Sequence, residues 1–597
     1  MEEQEKKSVG GGMFIHEESD IQDTFIPEDF TREHKDIGKA IEDFIKGEII
    51  SRGEEIETLN LELSRALMKK CGDLGFLGID IPETYGGVDL DKISSAIVSE
   101  KFGYSAGSFA LTELNSTGIG LLPVALFGTV EQKKKYLPGL ASGELIGAFG
   151  LTEAEAGSDA LNARTTATLS EDGKYYILNG SKQFITNAGF ADVVFTYAKV
   201  DEKYFTAFIL EQNWDGISTG EEENKMGFHG TSTRSYYYDN VKVPVENVLG
   251  EVGKGHVIAL NALNMGRYKV GALCMGHSKR AFAEAVKYAK QRVQFGRKIC
   301  EFGLIKEKIA KMAIRLFAAE SVVYRTAGLI QAGSEALEAR FGGDTGFSTA
   351  ESLKEHIVEC SINKIYGSET EDFVVDEELQ IHGGYGYIKE YHPEMAYRHA
   401  RPNRIWEGTN EINRTIIVNT LSRKINDETL GLTQSFESAS QALEKTEHLD
   451  SDDPESLDAQ KRILQIAKNI LMLGFGKAHS KYGVELREEQ EIVGIISDII
   501  IEIYAIESAL LRSNKMLAGK KPKKAAVPVK MTKVLFYDAF ERICFLARVL
   551  FQAIEDGEAL EKDLTIIKNV MIPPVLDTVS LRKSVADAMI QRGRYTF

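Results

Sequence analysis

Several clusters in this sequence have residue types and spacings that suggest chemistry, and the commonest of those chemistries fail in detail. Gly383-Gly384-Tyr385-Gly386 lacks the full G-x-G-x-x-G that lets a pyrophosphate approach a helix start. Gly253-Lys254 has Val248 where a phosphate-cradling loop needs glycine. The eleven histidines include no H-E-x-x-H, and Ser158, within Ala156-Gly157-Ser158-Asp159, does not make a G-x-S-x-G elbow. Rossmann or P-loop binding, metal-assisted hydrolysis and serine hydrolysis therefore lack support.

Five separated segments remain, mixing glycine, aromatic, hydroxyl and charged residues. They are Phe149-Gly150-Leu151-Thr152-Glu153-Ala154-Glu155-Ala156-Gly157-Ser158-Asp159, Asn179-Gly180-Ser181-Lys182-Gln183-Phe184-Ile185-Thr186-Asn187, Gln291-Arg292-Val293-Gln294-Phe295-Gly296, Gln380-Ile381-His382-Gly383-Gly384-Tyr385-Gly386 and Ile405-Trp406-Glu407-Gly408-Thr409-Asn410-Glu411-Ile412. Each has a plain reading. The first is an ordinary strand and turn, Arg292 an exposed cation, and Gly383-Gly384 a helix-capping loop. Glu407 is a surface glutamate stabilised by a helix dipole.

The elements that must position these segments alternate in character along the chain. After an N-terminal tail (1–35), residues 36–146 carry apolar residues at three- and four-residue spacing, as in 37–50 and 61–77, and predict a helical domain. Residues 147–252 turn to short β-branched and aromatic runs. There Asp172-Gly173 and Asn179-Gly180 bracket a strand with tight-turn dipeptides, predicting an antiparallel β-barrel or sandwich. Long helical patterns return over 253–425, broken by glycine loops at Gly342-Gly343 and Gly383-Gly384, and predict a four-helix-bundle-like domain. A polar, acidic connector (426–460), ending in Asp450-Ser451-Asp452-Asp453-Pro454, leads to an extra C-terminal helical domain (461–597). The fold class is thus mostly α with a central β domain.

Bulk properties narrow the partners. With 597 residues, 43% hydrophobic content and a net charge of -18, the chain has several cores and no overall attraction for nucleic acid. The five scattered cysteines form neither a disulfide framework nor a zinc-type pattern, so no metal is expected. Residues Met1 to Lys7 are charged and lead into Gly10-Gly11-Gly12 without an apolar or Arg-rich leader, and the expectation is a cytoplasmic protein. The apolar run Ile119 to Phe127 is short and contains Pro123, so no membrane span is expected. Lys520, Lys521, Lys523, Lys524, Lys530 and Lys533 form the one basic cluster, read as a solvated loop or as a peripheral contact with anionic lipid.

In this order and spacing, the five segments resemble the acyl-CoA dehydrogenase family over roughly residues 36–425, and the extra helical domain resembles the very-long-chain subtype. The resemblance implies FAD, a fatty acyl-CoA substrate and desaturation between its α and β carbons, a carboxylate removing the α-proton as hydride leaves the β-carbon. It makes Glu407 the base. An ordinary glutamate, with a pKa near ~4.3, is a poor base toward C–H, so its site must exclude water; Ile405 and Trp406 are suitable apolar neighbours. Relatives that carry the base on another helix place it immediately before an arginine, and in Asn264-Met265-Gly266-Arg267 that place is Gly266.

The same resemblance assigns the remaining positions. Phe149, Leu151, Thr152, Gly157 and Ser158 lie along the flavin, with Ser158 also near substrate. Phe184, Ile185 and Thr186 match a Trp-Ile-Thr triplet whose aromatic covers the ring. Arg292, Gln294 and Phe295 meet the pyrophosphate and adenine from a neighbouring subunit, where a guanidinium suits charge and geometry. Gln380, Ile381, Gly383 and Gly384 match the other side of that cofactor site. Thr409, Asn410 and Glu411 neighbour the cofactor, Thr409 also serving as a helix N-cap. Arg267, Trp406, Glu407 and Gly408 contact substrate; for Arg267 a structural ion pair is the equal alternative. Ala154 and Glu155 depart from the proline and small residue common in the family.

The function implied is dehydrogenation of long-chain fatty acyl-CoA to trans-2-enoyl-CoA in β-oxidation, by a homodimer passing electrons to electron-transfer flavoprotein. The alternatives are an acyl-CoA oxidase using oxygen and, because of Glu155, an acyl-CoA-binding assembly protein without turnover.

Overall fold

A computed structural model describes residues 10–105, 107–341, 345–446, 456–570 and 576–596. The charged Met1 to Lys7, Gly342-Gly343 and the acidic run Asp450 to Pro454 lie outside the described residues.

Helices Arg32–Phe44, Leu61–Asp73, Lys92–Ser105, Ser108–Thr117, Leu122–Phe127 and Val130–Ser142 form the N-terminal part. Side-chain caps start three of them: Thr31 accepts from His34 N, Asn60 from Leu63 N and Thr129 from Gln132 N. Their apolar faces meet in a core containing Ile41, Phe44, Leu67, Met68 and Phe102. One apolar stretch is longer than the run Ile119 to Phe127 read from the sequence. Ser108–Phe127 is long and apolar enough to cross a membrane by length and composition, but most of it is buried inside the protein.

The β part is one mixed sheet. Its order is Ile217–Thr219, Thr233–Pro244, Tyr175–Thr186, Thr166–Leu169, Val193–Val200, Tyr204–Glu211 and Val248–Leu249, with Gly147–Gly150 pairing alongside Val193–Val200. Most pairs are antiparallel, but Val193–Val200 is parallel to both Gly147–Gly150 and Thr166–Leu169. Asp172-Gly173 makes the expected hairpin turn, with Gly173 at φ 70°. Asn179-Gly180 does not turn; it is an irregularity inside Tyr175–Thr186, where a Cβ on Gly180 would stand 2.8 Å from Thr165 Cα. The backbone needs glycine there because Thr165 packs directly against it.

Helices Gly255–Gln291, Gly303–Phe341, Ile357–His382 and Asn410–Asn426 form the bundle. The first and third run side by side in the same direction: Asn363 Nδ2 donates to Tyr268 O, and one residue turn further a Cβ on Gly367 would meet Gly271 Cα at 2.9 Å. Glycines on both helices allow this approach, which sets Arg267 and Lys364 near one another on the same side of the crossing.

Helices Asp458–Tyr482, Gln490–Ala518, Ala526–Ile554, Gly557–Val570 and Thr578–Arg592 make the C-terminal extension, which shares one apolar core with the bundle. Two further readings change. Residues 10–30 are packed, not a free tail: Phe14 meets Tyr504 edge-on at 4.7 Å, Arg512 pairs with Glu28 at 2.8 Å and Lys515 with Asp29 at 2.8 Å. The polar connector contains helix Thr433–Glu444, which buries Ala439 and Leu443. The basic cluster also divides, since Lys533 is buried and Lys530 donates to Ser584 Oγ at 2.7 Å, leaving four lysines at the surface.

Candidate active site

Glu407 sits in a short link between the 3-10 turn Arg401–Arg404 and helix Asn410–Asn426, which Thr409 caps by accepting from Ile412 N at 3.2 Å. Glu407 has φ 56° and Gly408 φ 79°, two successive left-handed residues. Glycine adopts that region freely, but for a glutamate it costs on the order of 1–3 kcal/mol and persists only where surroundings enforce it. The enforcement is visible. Arg267 Nε donates to Glu407 O at 3.1 Å, while Lys364 Nζ and Asn413 Nδ2 donate to Gly408 O at 2.9 and 2.8 Å.

This turn brings the carboxylate against Gly266. A Cβ at that position would stand 2.7 Å from Glu407 Cδ and closer still to Oε2, so the absent side chain is what makes room. Glu407 is partly buried, and its Oε2 is shielded from solvent without a hydrogen-bond partner. Burial raises its pKa to about 7, against the opposing pull of Arg267 and Lys364. Such a carboxylate is poised to exchange a proton near neutrality. The apolar wall is Trp406, whose ring lies 5.5 Å from that of Phe228, itself stacked on His399 at 4.3 Å.

Arg267 is buried, and its guanidinium reaches the Glu407 carbonyl and Asn264 Oδ1 (2.7 Å), the latter one turn back on its own helix. Asn410 is buried too. Its Oδ1 accepts from Lys364 at 2.7 Å and its Nδ2 donates to Ser368 Oγ and Glu369 Oε1, so the side chain expected to touch a cofactor is engaged in holding the turn. Glu411 projects to solvent from the first helical turn.

The first two segments are laced together. Gln183 N donates to Thr152 O at 2.9 Å, and the buried Lys182 ammonium bonds Leu151 O at 3.2 Å and Glu153 Oε1 at 2.6 Å. Glu153 also accepts from Thr165 Oγ1 and Arg164 N, and these donors together with Lys182 hold its carboxyl below the usual range in spite of burial. Glu155, the unusual residue, points outward and pairs with Arg164 at 2.5 Å, leaving the loop itself undisturbed.

Phe184 occupies a β-bulge: Lys182 to Ile185 spans three residues against two on the partner strand, and Phe184 takes φ 59°. The extra residue turns its ring out to 57% exposure. Ile185 faces the sheet core, so only its backbone is available to a ligand, with Thr186 half-buried beside it. Phe149 and Leu151 are buried in a core shared with Met265 and Tyr268 of the Arg267 helix, which joins this loop to the Glu407 region. Gly157 and Ser158 are exposed, and nothing lies within 4 Å of a Cβ at Gly157.

The third and fourth segments meet each other elsewhere. Arg292 lies over the Tyr385 ring at 5.5 Å, and Val293–Gln294 pairs with Arg297–Lys298 in a hairpin whose tip, Phe295 (φ 52°) and Gly296 (φ 75°), projects outward with Phe295 92% exposed. Gln380, Gly383 and Gly384 are exposed beside open space, and Ile381 is buried. At 1.5 Å per residue along helix Gly255–Gln291, Arg292 stands about 37 Å from Arg267. One copy of the chain therefore presents two half-sites, one with the carboxylate and the exposed Phe184, the other with a guanidinium and open glycines. Their chemistry fits an FAD: an aromatic face and free backbone for the ring, a cation for the phosphates.

Lys364 and Asn413 lie outside the five segments, and Glu153 and Lys182 lie within the first two without having been given a role. Lys364 as the lone charge within 360–368 was the available signal, because a charge on a buried helix face has a partner.

Comparison with known proteins agrees with this geometry. The N-terminal, middle and C-terminal domains of acyl-CoA dehydrogenase match residues 31–144, 148–241 and 253–422, and a further acyl-CoA dehydrogenase C-terminal domain matches 465–569. A "probable acyl-CoA dehydrogenase" of Bacillus subtilis is 46% identical over 98% of both chains. The crystal structure of an acyl-CoA dehydrogenase complexed with FAD from Bacillus anthracis superimposes with a TM-score of 0.96 at 45% identity, covering 99% of this chain and 100% of that one. The mitochondrial very long-chain specific enzyme of Bos taurus is 40% identical over 64% of this chain and 55% of its own length. With its helical, β and helical parts in this order and its two half-sites so arranged, the chain belongs to the acyl-CoA dehydrogenase family, whose enzymes use FAD.

Proposed function

We propose that the chain dehydrogenates long-chain fatty acyl-CoA to trans-2-enoyl-CoA in β-oxidation, with Glu407 as the base that removes the α-proton. The observation that carries this reading is the Glu407 carboxylate, shielded, without a hydrogen-bond partner at Oε2 and raised to about pKa 7. FAD, when bound, supplies the two-electron acceptor. Trp406 and Phe228 exclude water from one side, the left-handed turn presents the carboxylate, and the Glu407 N–H polarises the thioester carbonyl as negative charge develops. A glutamate of near-neutral pKa is mostly able to accept a proton at pH 7 and above while keeping enough basicity to act on a carbon acid.

Further support comes from outside the turn. The long-chain preference is favoured by the C-terminal extension and by the similarity to very long-chain specific enzymes. A homodimer is favoured by the separation of the half-sites, since about 37 Å along one helix is farther than a single FAD reaches, and by the outward Phe295 hairpin. In that assembly the Arg292 end of one copy completes the Glu407 end of the other. Electron-transfer flavoprotein is the acceptor implied.

The test is anaerobic bleaching of the bound flavin by butyryl-, octanoyl- and palmitoyl-CoA, repeated in air with peroxide detection. Fastest bleaching by palmitoyl-CoA with little peroxide is expected. Absence of bleaching by all three would overturn the reading, and rapid stoichiometric peroxide would replace the dehydrogenase by an oxidase.

A further inference from the structure

We propose that Lys364 is a positioning residue for the Glu407 base, its ammonium group holding the Gly408 carbonyl and thereby fixing the left-handed turn that aims the carboxylate. The inference rests on the reading of Glu407 as the base and deepens it.

Lys364 is 0% exposed. A buried ammonium is costly unless its three N–H donors are matched, and two of its partners are neutral oxygens, Gly408 O at 2.9 Å and Asn410 Oδ1 at 2.7 Å. Among the described residues it makes no ion pair with a carboxylate within 4.0 Å, so its charge is not there to balance an adjacent one. The grip extends one turn along the same helix, where Ser368 Oγ bonds the Asn410 amide at 3.1 Å. Lys364 and Ser368 thus seize the chain on the far side of Glu407, at Gly408 and Asn410. Arg267 takes the near side through the Glu407 carbonyl. Two cations from two parallel helices hold consecutive carbonyls of the turn, which a merely space-filling residue could not do.

The same placement has an electrostatic effect. The titratable and charged groups facing Lys364 are the Cys274 thiol, kept neutral by burial, Glu407, Arg267 and Glu411, and those facing Glu407 are Arg267 and Lys364. Lys364 therefore favours the Glu407 anion, and removing its charge shifts Glu407 ionisation to higher pH. Burial lowers the Lys364 pKa to about 8, so the clamp loosens as pH rises beyond that value.

The test is the pH dependence of anaerobic flavin bleaching by palmitoyl-CoA in the FAD-loaded wild type, Lys364→Met, Lys364→Arg and Glu407→Gln. Lys364→Met is expected to bleach about ten- to a hundred-fold more slowly, as for a displaced reacting group. Its acid limb moves to higher pH. Lys364→Arg restores the acid limb and extends the alkaline limb beyond that of the wild type, because a guanidinium does not lose its proton there. An acid limb for Lys364→Met that superimposes on the wild type overturns the proposal, whatever the rate. If Lys364→Met does not fold with FAD, an alkaline limb for Lys364→Arg identical to the wild type overturns it instead. Undiminished bleaching by Glu407→Gln would reject the base itself; an inactive Glu407→Gln alongside an unshifted Lys364→Met rejects the clamp alone.

Discussion

Gly266 lies against the Glu407 carboxylate so closely that a Cβ there would stand 2.7 Å from Glu407 Cδ. Gly266→Ala is expected to displace the carboxylate by a few tenths of an ångström or more and to slow substrate bleaching of the flavin by about a hundred-fold. The helix itself gains propensity from alanine, so FAD content and the thermal midpoint stay near wild type. Bleaching at the wild-type rate would mean that Glu407 position is unimportant.

The raised pKa of Glu407 sets an acid limb. Only the ionised carboxylate accepts a proton, so the bleaching rate should climb with pH through about 7, ahead of the alkaline fall that loss of the Lys364 charge imposes beyond about 8. Stopped-flow rates across pH 5 to 9 check this, and a limb near the ordinary ~4.3 of glutamate would contradict the burial argument.

The same shift has a stability signature of opposite sense. With the folded pKa above the unfolded value, the native state holds more protons between about 4.5 and 7, and stability is lost as pH rises through that window. Glu407→Gln removes this penalty of up to about 3 kcal/mol. The variant should therefore melt higher than wild type at pH 8 and alike at pH 4.5; equal midpoints at both would refute the penalty.

These features differ in how far they could be read from residues alone. Helical domains and the β domain follow from periodicity and turn dipeptides, and Glu407 as the base follows from the resemblance that the ordered motifs carry; its left-handed turn is visible only in the structure. Asn179-Gly180 misleads because the identical dipeptide serves a hairpin or a bulge, and the packing of Thr165 decides between them. Residues 10–30 have no periodicity, yet Phe14 and Ile15 are core residues because helices far along the chain cover them. Asn410, matched to the cofactor site by resemblance, is also engaged by Lys364 and Ser368, partners about 42 to 46 residues earlier that no local pattern reveals.

The Glu153–Lys182 pair is buried, with Lys182 lowered to about 8 by desolvation. Lys182→Met leaves a buried carboxylate without its counter-charge and should cost about 3 to 5 kcal/mol, with release of FAD as the loop loosens. Adding Glu153→Leu should recover much of the stability. A single variant as stable as wild type in denaturant titration would contradict this.

Phe184 makes its contribution outside the core. Phe184→Ala should leave the unfolding free energy of the apoprotein within about 0.5 kcal/mol of wild type. FAD affinity should fall about three- to ten-fold through loss of a stacking partner, and unchanged affinity by titration of apoprotein with FAD would remove Phe184 from the cofactor site.

The central claim is that Glu407 removes the substrate proton, and anaerobic addition of palmitoyl-CoA to FAD-loaded Glu407→Gln tests it most directly. The amide keeps the shape of the turn but cannot accept the proton. The expected result is a yellow protein that binds palmitoyl-CoA with a perturbed flavin spectrum and bleaches at least about a thousand-fold more slowly than wild type. Bleaching at the wild-type rate would contradict the account.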